Sequence, residues 1–345
     1  MRKKTGSIIG QLKIRVRDAV GVDLGASGTK VVRLKRDRTG KTTLMAAELL
    51  PPLLPPDSED AIPAATLHLP RALQAPAAAL CYASVHATCK LLALQGGGDK
   101  INDHTLNDLL GLPRDADYRF RQKLIPAENR IEVQVLAVAV PMREARWLAS
   151  LFARGKIAPC SAQIAGLAAA NSFLEDPGRE QRNPGGPELV IDAGERVTTL
   201  VLFDNERPLV VRQFVTGVRK ILQQVTSDLR VDEETARDIL DVGSIDIRAS
   251  LQMVYEDFLR QLAIAVDFSE RRVGRPLSHV SISGGLSGNR DWRAALREIT
   301  GIEPRLWNPW EGMHLAPGAV SEQAARPGHC FAAATGAALS ILESA

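Results

Sequence analysis

Two stretches of this chain, half its length apart, break an apolar strand pattern in the same way. Residues 20–34 read VGVDLGASGTKVVRL and residues 189–203 read LVIDAGERVTTLVLF. In each, an apolar run reaches an aspartate, passes one residue and a glycine, turns tightly and resumes, as a hairpin with an acid near its tip does. A carboxylate set in an apolar strand is costly unless a cation or hydrogen-bond donors meet it. An Asp-x-Gly turn also presents consecutive backbone N–H groups, unobstructed at the glycine, to phosphate oxygens. The carboxylate ahead of the turn suits Mg2+ held mostly through its waters, and Lys30 adds a point charge for terminal phosphates. One such turn arises by chance in many loops. Two between apolar strands predict a duplicated module whose halves face each other across a cleft.

A third glycine turn follows a third apolar strand at 279–288 (HVSISGGLSG), with Asn289 placed to cap a helix over 291–300. Beside two phosphate turns, this one suits a close backbone approach to an adenosine. The first hairpin continues through a polar turn at 36–41 into a return strand at 42–47; the second turns at 204–207. The proline-rich stretch 50–56 (LPPLLPP) is an extended surface loop. Residues 77–94 predict two strands, 102–110 a helix capped by Asn102, and 130–140 a strand that alternates and then becomes fully apolar. Pro141 ends that strand. A helix over 142–155 closed by glycine, a small-residue helix over 159–173, and a break at 176–187 separating two halves follow.

With 345 residues, 45% of them hydrophobic, the chain can bury the core of two lobes. A net charge of +3 supplies no general field for nucleic acid. The first 17 residues are the exception, with Arg2, Lys3, Lys4, Lys13, Arg15 and Arg17 and no acid. They read as a solvated tail, with an anionic membrane surface as the alternative. Cys81, Cys89, Cys160 and Cys330 are scattered, without metal-ligand or disulfide spacing, as suits reduced thiols in a cytoplasm. The histidines form no constellation, and Trp292, Trp307 and Trp310 read as packing residues. No apolar run approaches the length of a membrane span.

The three turns in this order, with small-residue helices at 164–170 (IAGLAAA) and 331–339 (FAAATGAAL), resemble the ATPase fold shared by actin and sugar kinases. The resemblance implies an α/β, actin-like (ribonuclease H-like) duplicated fold, two lobes around a nucleotide cleft. It assigns Asp23, Gly25, Ala26, Ser27, Gly28, Thr29 and Lys30 to a first phosphate loop and Asp192, Gly194 and Thr198 to a second. Gly284, Gly285 and Leu286 fall on the adenosine loop, with Gly217 and Arg237 nearby. ATP and Mg2+ are the implied cofactors, the metal held by Asp23 and Asp192.

Within that superfamily the chain is similar to the PilM family of type IV pilus assembly and the related FtsA family. The shared features are residues 20–32, 135–141 (VLAVAVP), 214–222 (FVTGVRKIL), 231–240 (VDEETARDIL) and 307–309 (WNP). The likeness implies a basic segment at 1–17, a first lobe at 18–84 and an inserted FtsA/PilM-type subdomain at 85–158. A connecting helix and linker at 159–186 follow, then a second lobe at 187–326 with a helical subdomain near 225–272, and a returning helix at 327–345. It implies an ATP-binding cytoplasmic scaffold that grips the cytoplasmic N-terminal peptide of a PilN-like inner-membrane protein, by strand addition or groove docking in the first lobe. The pilus assembly ATPase and a second copy are further implied partners, and attachment to the inner membrane is peripheral, through the partner. Alternatives are an FtsA-like division protein, which would need a C-terminal membrane helix after the connecting helix, a type II secretion platform component, and a sugar or acyl kinase, which would need an acceptor-side base.

The chain departs from the family pattern at four places. Ala26 replaces the usual serine of the first loop, Glu195 and Arg196 fill the second turn, Leu240 stands where lysine is common, and Ala165 occupies the water-positioning place, with Gln163 the nearest candidate. Hydrolysis needs a positioned water as well as a cradled phosphate, so these residues imply ATP binding with weak or absent hydrolysis.

Overall fold

The computed structural model describes residues 16–55, 66–95, 101–126, 132–152, 157–176, 179, 185–325 and 328–342. Residues 1–15 of the basic segment 1–17, the glycine end expected near 155 and most of the break at 176–187 lie outside the described residues.

The hairpin pattern is realised twice with the same topology. In the first lobe, β1 (Asp18–Gly25) pairs antiparallel with β2 (Gly28–Arg36), and β2 with β3 (Thr42–Leu50). On its other side β1 pairs parallel with β4 (Ala77–Tyr82), and β4 with β8 (Ala158–Ile164). In the second lobe, β9 (Glu188–Ala193), β10 (Thr198–Asp204) and β11 (Arg207–Phe214) repeat the meander, and β12 (His279–Ser283) and β13 (Arg305–Leu306) repeat the parallel pair. The orders β3-β2-β1-β4-β8 and β11-β10-β9-β12-β13 therefore correspond strand for strand, with β14 (His314–Leu315) added to the outer edge of the first.

Between β4 and β8 the chain builds a separate antiparallel sheet from β5 (Thr88–Gln95), β6 (Tyr118–Pro126) and β7 (Glu132–Pro141), in the order β5-β7-β6. Helix α1 (Asp103–Leu110) buries Leu106 and Leu110 against Val135, Ala137 and Ala139 of β7. The Asn102 side chain accepts from the Thr105 N–H, and Gly111, at φ 71°, closes the last turn in the left-handed conformation glycine takes without strain.

Two expected elements differ. The helix after Pro141, α2 (Met142–Ser150), is shorter than read, and Trp147, Leu148, Leu151 and Phe152 bury against Val20, Val22 and Leu80 of the first-lobe sheet. The stretch read as one helix over 159–173 is a strand, β8, followed by α3 (Ala165–Leu174). Pro159 biases its predecessor toward extended backbone, and an edge strand is where a sheet tolerates proline.

The lobes share one core. Ala168, Ala169 and Phe173 of α3 pack with Ala334, Ala337 and Ala338 of the returning helix α8 (Ala332–Ile341), and with Val190, Val201 and Phe203 of the second sheet. A Cβ at Gly336 would lie 1.8 Å from the Ala168 carbonyl oxygen, and one at Gly21 only 1.9 Å from that of Ala334. Asn171 Nδ2 donates to the Gly336 carbonyl at 3.2 Å and Ser172 Oγ to that of Ala332 at 2.9 Å, locking the crossing. The second sheet's other face is covered by α4 (Val218–Leu229), α5 (Glu233–Val242), α6 (Arg248–Val273) and α7 (Arg290–Thr300), around Tyr255, Phe258 and Trp292.

Gly336→Ala forces backbone atoms apart and is expected to cost about 3 kcal/mol. Gly111→Ala meets nothing within 4 Å and is expected to cost only the left-handed penalty, about 1 kcal/mol. Urea unfolding midpoints compare the two; equal losses would remove the close crossing as the cause.

Candidate functional site

The tips of the two hairpins meet between the lobes, and strand register decides which side chains they present. Asp23 pairs with Lys30 across β1 and β2, which puts both on one face. Lys30 Nζ lies 4.0 Å from Asp23 Oδ2 and donates to Ser27 Oγ at 3.3 Å. A side chain at Gly25 would stand 2.6 Å from Lys30 Nζ, so glycine there leaves the ammonium its place. In the second lobe Ser283 of β12 pairs with Asp192 of β9, and its hydroxyl donates to Asp192 Oδ1 at 2.8 Å.

The second turn is tied to its neighbours through backbone. Gly194 N–H donates to the Val197 carbonyl, while the carbonyls of Gly194 and Glu195 accept from Val218 and Arg219 at the start of α4. The third turn lies against the second: Gly284, at φ 88°, would carry a Cβ only 2.4 Å from the Ala193 oxygen.

The electrostatics are those of a site short of cations. Asp23 is pushed up to about 6, first by burial and also by Asp192, against the pull of Lys30 and a hydrogen bond from the Cys81 thiol. Asp192 is also raised by burial, with the Ser283 hydrogen bond and Lys30 opposing. One lysine thus serves two acids from opposite lobes, Asp23 buried and Asp192 half-buried.

Of the residues read from the sequence, Asp23, Gly25, Ala26, Ser27, Lys30, Asp192, Gly194, Gly284 and Gly285 line one narrow cleft of about 60 Å3. The others stand elsewhere. Gly28 starts β2 behind the first turn, and Thr29 is fully buried. Thr198 points into the second lobe, its hydroxyl donating to the Thr216 carbonyl at 2.7 Å and sharing a hydrogen bond with Tyr255. Gly217 caps α4, and Leu286 belongs to the second-lobe core. Arg237 lies on α5, paired with Glu195 at 3.6 Å and Glu233 at 3.7 Å, while Leu240 is buried beside it. Tyr82, Leu54 and Cys330 also line the cleft and were not foreseen. Tyr82 could have been found, since the carboxyl end of the strand parallel to β1 is where open α/β sheets place ligands.

Gln163 does not reach the cleft. It lies next to the last residue of β8 and lines a second, larger cavity of about 480 Å3 between the edge strands β6 and β8. Its Nε2 donates to Ser161 Oγ at 3.1 Å and Ser340 Oγ at 2.5 Å, and its buried Oε1 has no partner. Leu136, Val138 and Leu148 line the same cavity, with Arg119, Arg121 and Lys123 of β6. Tyr82 lines both cavities. Among the described residues no group of three or more His, Cys, Asp or Glu could hold a metal by itself.

No protein-family model and no curated protein matches the chain. Solved structures do. The chain is similar to one in the PilM-PilN type IV pilus biogenesis complex, at 20% identity and a TM-score of 0.68, over 95% of this chain and 99% of that one. MreB 5 of Spiroplasma citri bound to AMPPNP matches at 10% identity and a TM-score of 0.45, over 93% of this chain and 95% of that one. A protein of Bacteroides thetaiotaomicron with an actin-like ATPase fold and unknown function matches at 8% and 0.43, over 93% and 100%. The duplicated sheets and the first of these likenesses show the actin-like, two-lobed α/β fold expected from the sequence.

The raised Asp23 pKa has a direct consequence for stability. The folded chain binds a proton at Asp23 that the unfolded chain, at 3.8, has already released. Stability from this group is therefore full below pH 3.8 and lost as pH rises to about 6, by roughly 3 kcal/mol. Asp23→Asn is expected to remove that loss. Its stability advantage over the wild type, from urea unfolding at several pH values, should grow between pH 4.5 and about 6 and then level off; an advantage independent of pH would contradict the buried charge.

Proposed function

We propose that this chain is a nucleotide-binding scaffold of the PilM type, holding ATP with Mg2+ between its lobes and a peptide of a PilN-like inner-membrane protein in the groove beside β6 and β8. The observation that carries the first part is the convergence of Asp23, Lys30 and Asp192 from equivalent hairpins of the two halves.

The donor set fits the ion. Two hard carboxylates are too few to cage a metal but suit a Mg2+ that arrives with phosphates and keeps most of its waters. Asp23 and Asp192 would hold it, and when bound it would neutralise charge on the phosphates. Lys30 and the N–H groups of the glycine turns bind the phosphate oxygens, and Gly284 and Gly285 admit the nucleoside. At about 60 Å3 the cleft is far smaller than the ~300–1,000 Å3 of ordinary ligand sites, so binding parts the lobes. Ala165, at the start of α3, lines the cleft without a group to orient water, and Gln163 faces the groove. The nucleotide is thus held with slow hydrolysis or none.

The groove supports the partner reading. Two edge strands flank an apolar cavity, and the open acceptor of Gln163 suits an N–H of an extended peptide. The sheet β5-β7-β6 corresponds in this reading to the subdomain inserted near 85–158, and the second lobe to 187–326. No helix among the described residues is long and apolar enough to cross a membrane, and the reading places the protein at the cytoplasmic face of the inner membrane through its partner.

Nucleotide titration and phosphate release with the wild type, Asp23→Ala and Asp192→Ala test the cleft. The wild type is expected to bind Mg-ATP, each variant at least about tenfold more weakly, and phosphate release to stay near background. Equal binding by all three would remove the assignment. For the groove, capture of a PilN-like N-terminal peptide should weaken in Gln163→Leu; undiminished capture would move the peptide elsewhere.

A further inference from the structure

The second hairpin turn carries two long charged side chains, both of which line the cleft and only one of which has an ion-pair partner. Glu195 is turned toward the helices of its own lobe, where Arg237 meets it at 3.6 Å. Arg196 is half-buried and lines the cleft, on the side where the first lobe presents Tyr82. Its charge is felt at the Tyr82 hydroxyl, where it opposes the upward push of burial.

Among the described residues no carboxylate pairs with Arg196. Its nearest acid in sequence is taken by Arg237, and the cation acting on both Asp23 and Asp192 is Lys30. A guanidinium without an ion-pair partner, lining a narrow cleft, is available to an incoming anion. The cations lining the cleft are Lys30 and Arg196, one from each hairpin and each from a different lobe. A guanidinium is planar, permanently charged and able to engage two oxygens of one phosphate, which an ammonium or hydroxyl cannot.

We infer that Arg196 is a phosphate-binding residue of the cleft, taking the terminal phosphates of a nucleoside di- or triphosphate from the second lobe while Lys30 takes them from the first. The inference rests on the nucleotide reading of the cleft. It makes the ligand's phosphate tail, and not its base, the element that ties the lobes together. It also assigns Arg196 to binding and not to catalysis, because a cation on the ground-state phosphates strengthens binding without activating water.

Titration of the full chain with Mg-ATP, Mg-ADP and AMP, for the wild type, Arg196→Gln and Arg196→Lys, tests it. Arg196→Gln is expected to weaken Mg-ATP by about tenfold or more while leaving AMP, which has no terminal phosphates, unchanged. Arg196→Lys should recover part of the loss. Added salt should weaken Mg-ATP binding more in the wild type than in Arg196→Gln. Because Arg196 has no carboxylate partner, the unfolding midpoint of Arg196→Gln without nucleotide should match the wild type, which separates lost binding from lost fold. Wild-type affinity for Mg-ATP in Arg196→Gln overturns this inference and leaves the cleft standing. An equal loss for AMP and ATP also overturns it. A wild type that binds none of the three overturns the nucleotide reading itself.

Discussion

The arrangement of the halves depends on three glycines where segments approach more closely than any side chain at those positions would allow. Gly336 of α8 lies on the Ala168 carbonyl of α3, Gly21 of β1 lies on α8 at Ala334, and Gly166 of α3 lies on Thr199 of β10. Any Cβ at these points would fall 1.8 to 2.1 Å from an atom of the facing segment, inside contact distance. Both sheets are therefore drawn onto one pair of crossing helices, and their corresponding hairpins point into the same space. The Asn171 and Ser172 hydrogen bonds to α8 carbonyls satisfy backbone groups at that crossing and fix its depth. Elements of both halves share a core at this crossing, and β11 also packs against β5 of the inserted sheet, where Arg207 donates to Gln134 and Gln213 to the Ser84 carbonyl.

The same convergence creates an unfavourable electrostatic arrangement. Asp23 and Asp192 come from opposite lobes, both lose solvation, and only Lys30 answers them. A chain selected for stability alone would place an amide or an apolar residue at one of these positions. In the proposed reading both acids are retained because a divalent cation and phosphates complete the site, with the glycine turns beside them as its other half. Burial, which sets the cost, also makes each charge–charge contact with a ligand stronger than it would be in water.

Much of this was legible in the sequence because hairpins write their register locally. Once the turn is placed, Asp23 must face with Lys30 and Asp192 with Thr199, as the observed pairs do. That rule also explains the residues that do not reach the cleft. Thr29 pairs with Leu24 and Thr198 with Ala193, so each lies on the face opposite its aspartate and turns into the core. Family likeness nominated whole loops, where alternation would have halved the list. The strand β8 was hidden for a different reason. Residues 158–164 (APCSAQI) are small and weakly patterned, and their strand state is imposed by pairing with β4, a partner far away in the sequence. Misreading it as helix also misplaced Gln163, which belongs to a sheet edge beside the groove and not to the helix beside the cleft. The contribution of Cys330 depends on the return of α8, which leaves no local pattern, whereas Tyr82 follows once the strand legible at 77–94 is placed parallel to β1.

The strand order has one more consequence. Because β4 lies between β1 and β8, its carboxyl end stands beside the first phosphate-type turn on one side and beside the edge of the sheet on the other. Tyr82 closes that end, facing the cleft and the groove at once, and is held edge-on against Trp147 of α2 with ring centroids 5.4 Å apart. The step from β8 into α3 does the same one strand over, Ile164 lining the groove and Ala165 the cleft. A single packed wall, built of two strand ends and braced by α2, thus separates the two cavities. Packed interiors transmit displacement where a fluid would absorb it. The residues that bound one cavity are thus in direct contact with those that bound the other.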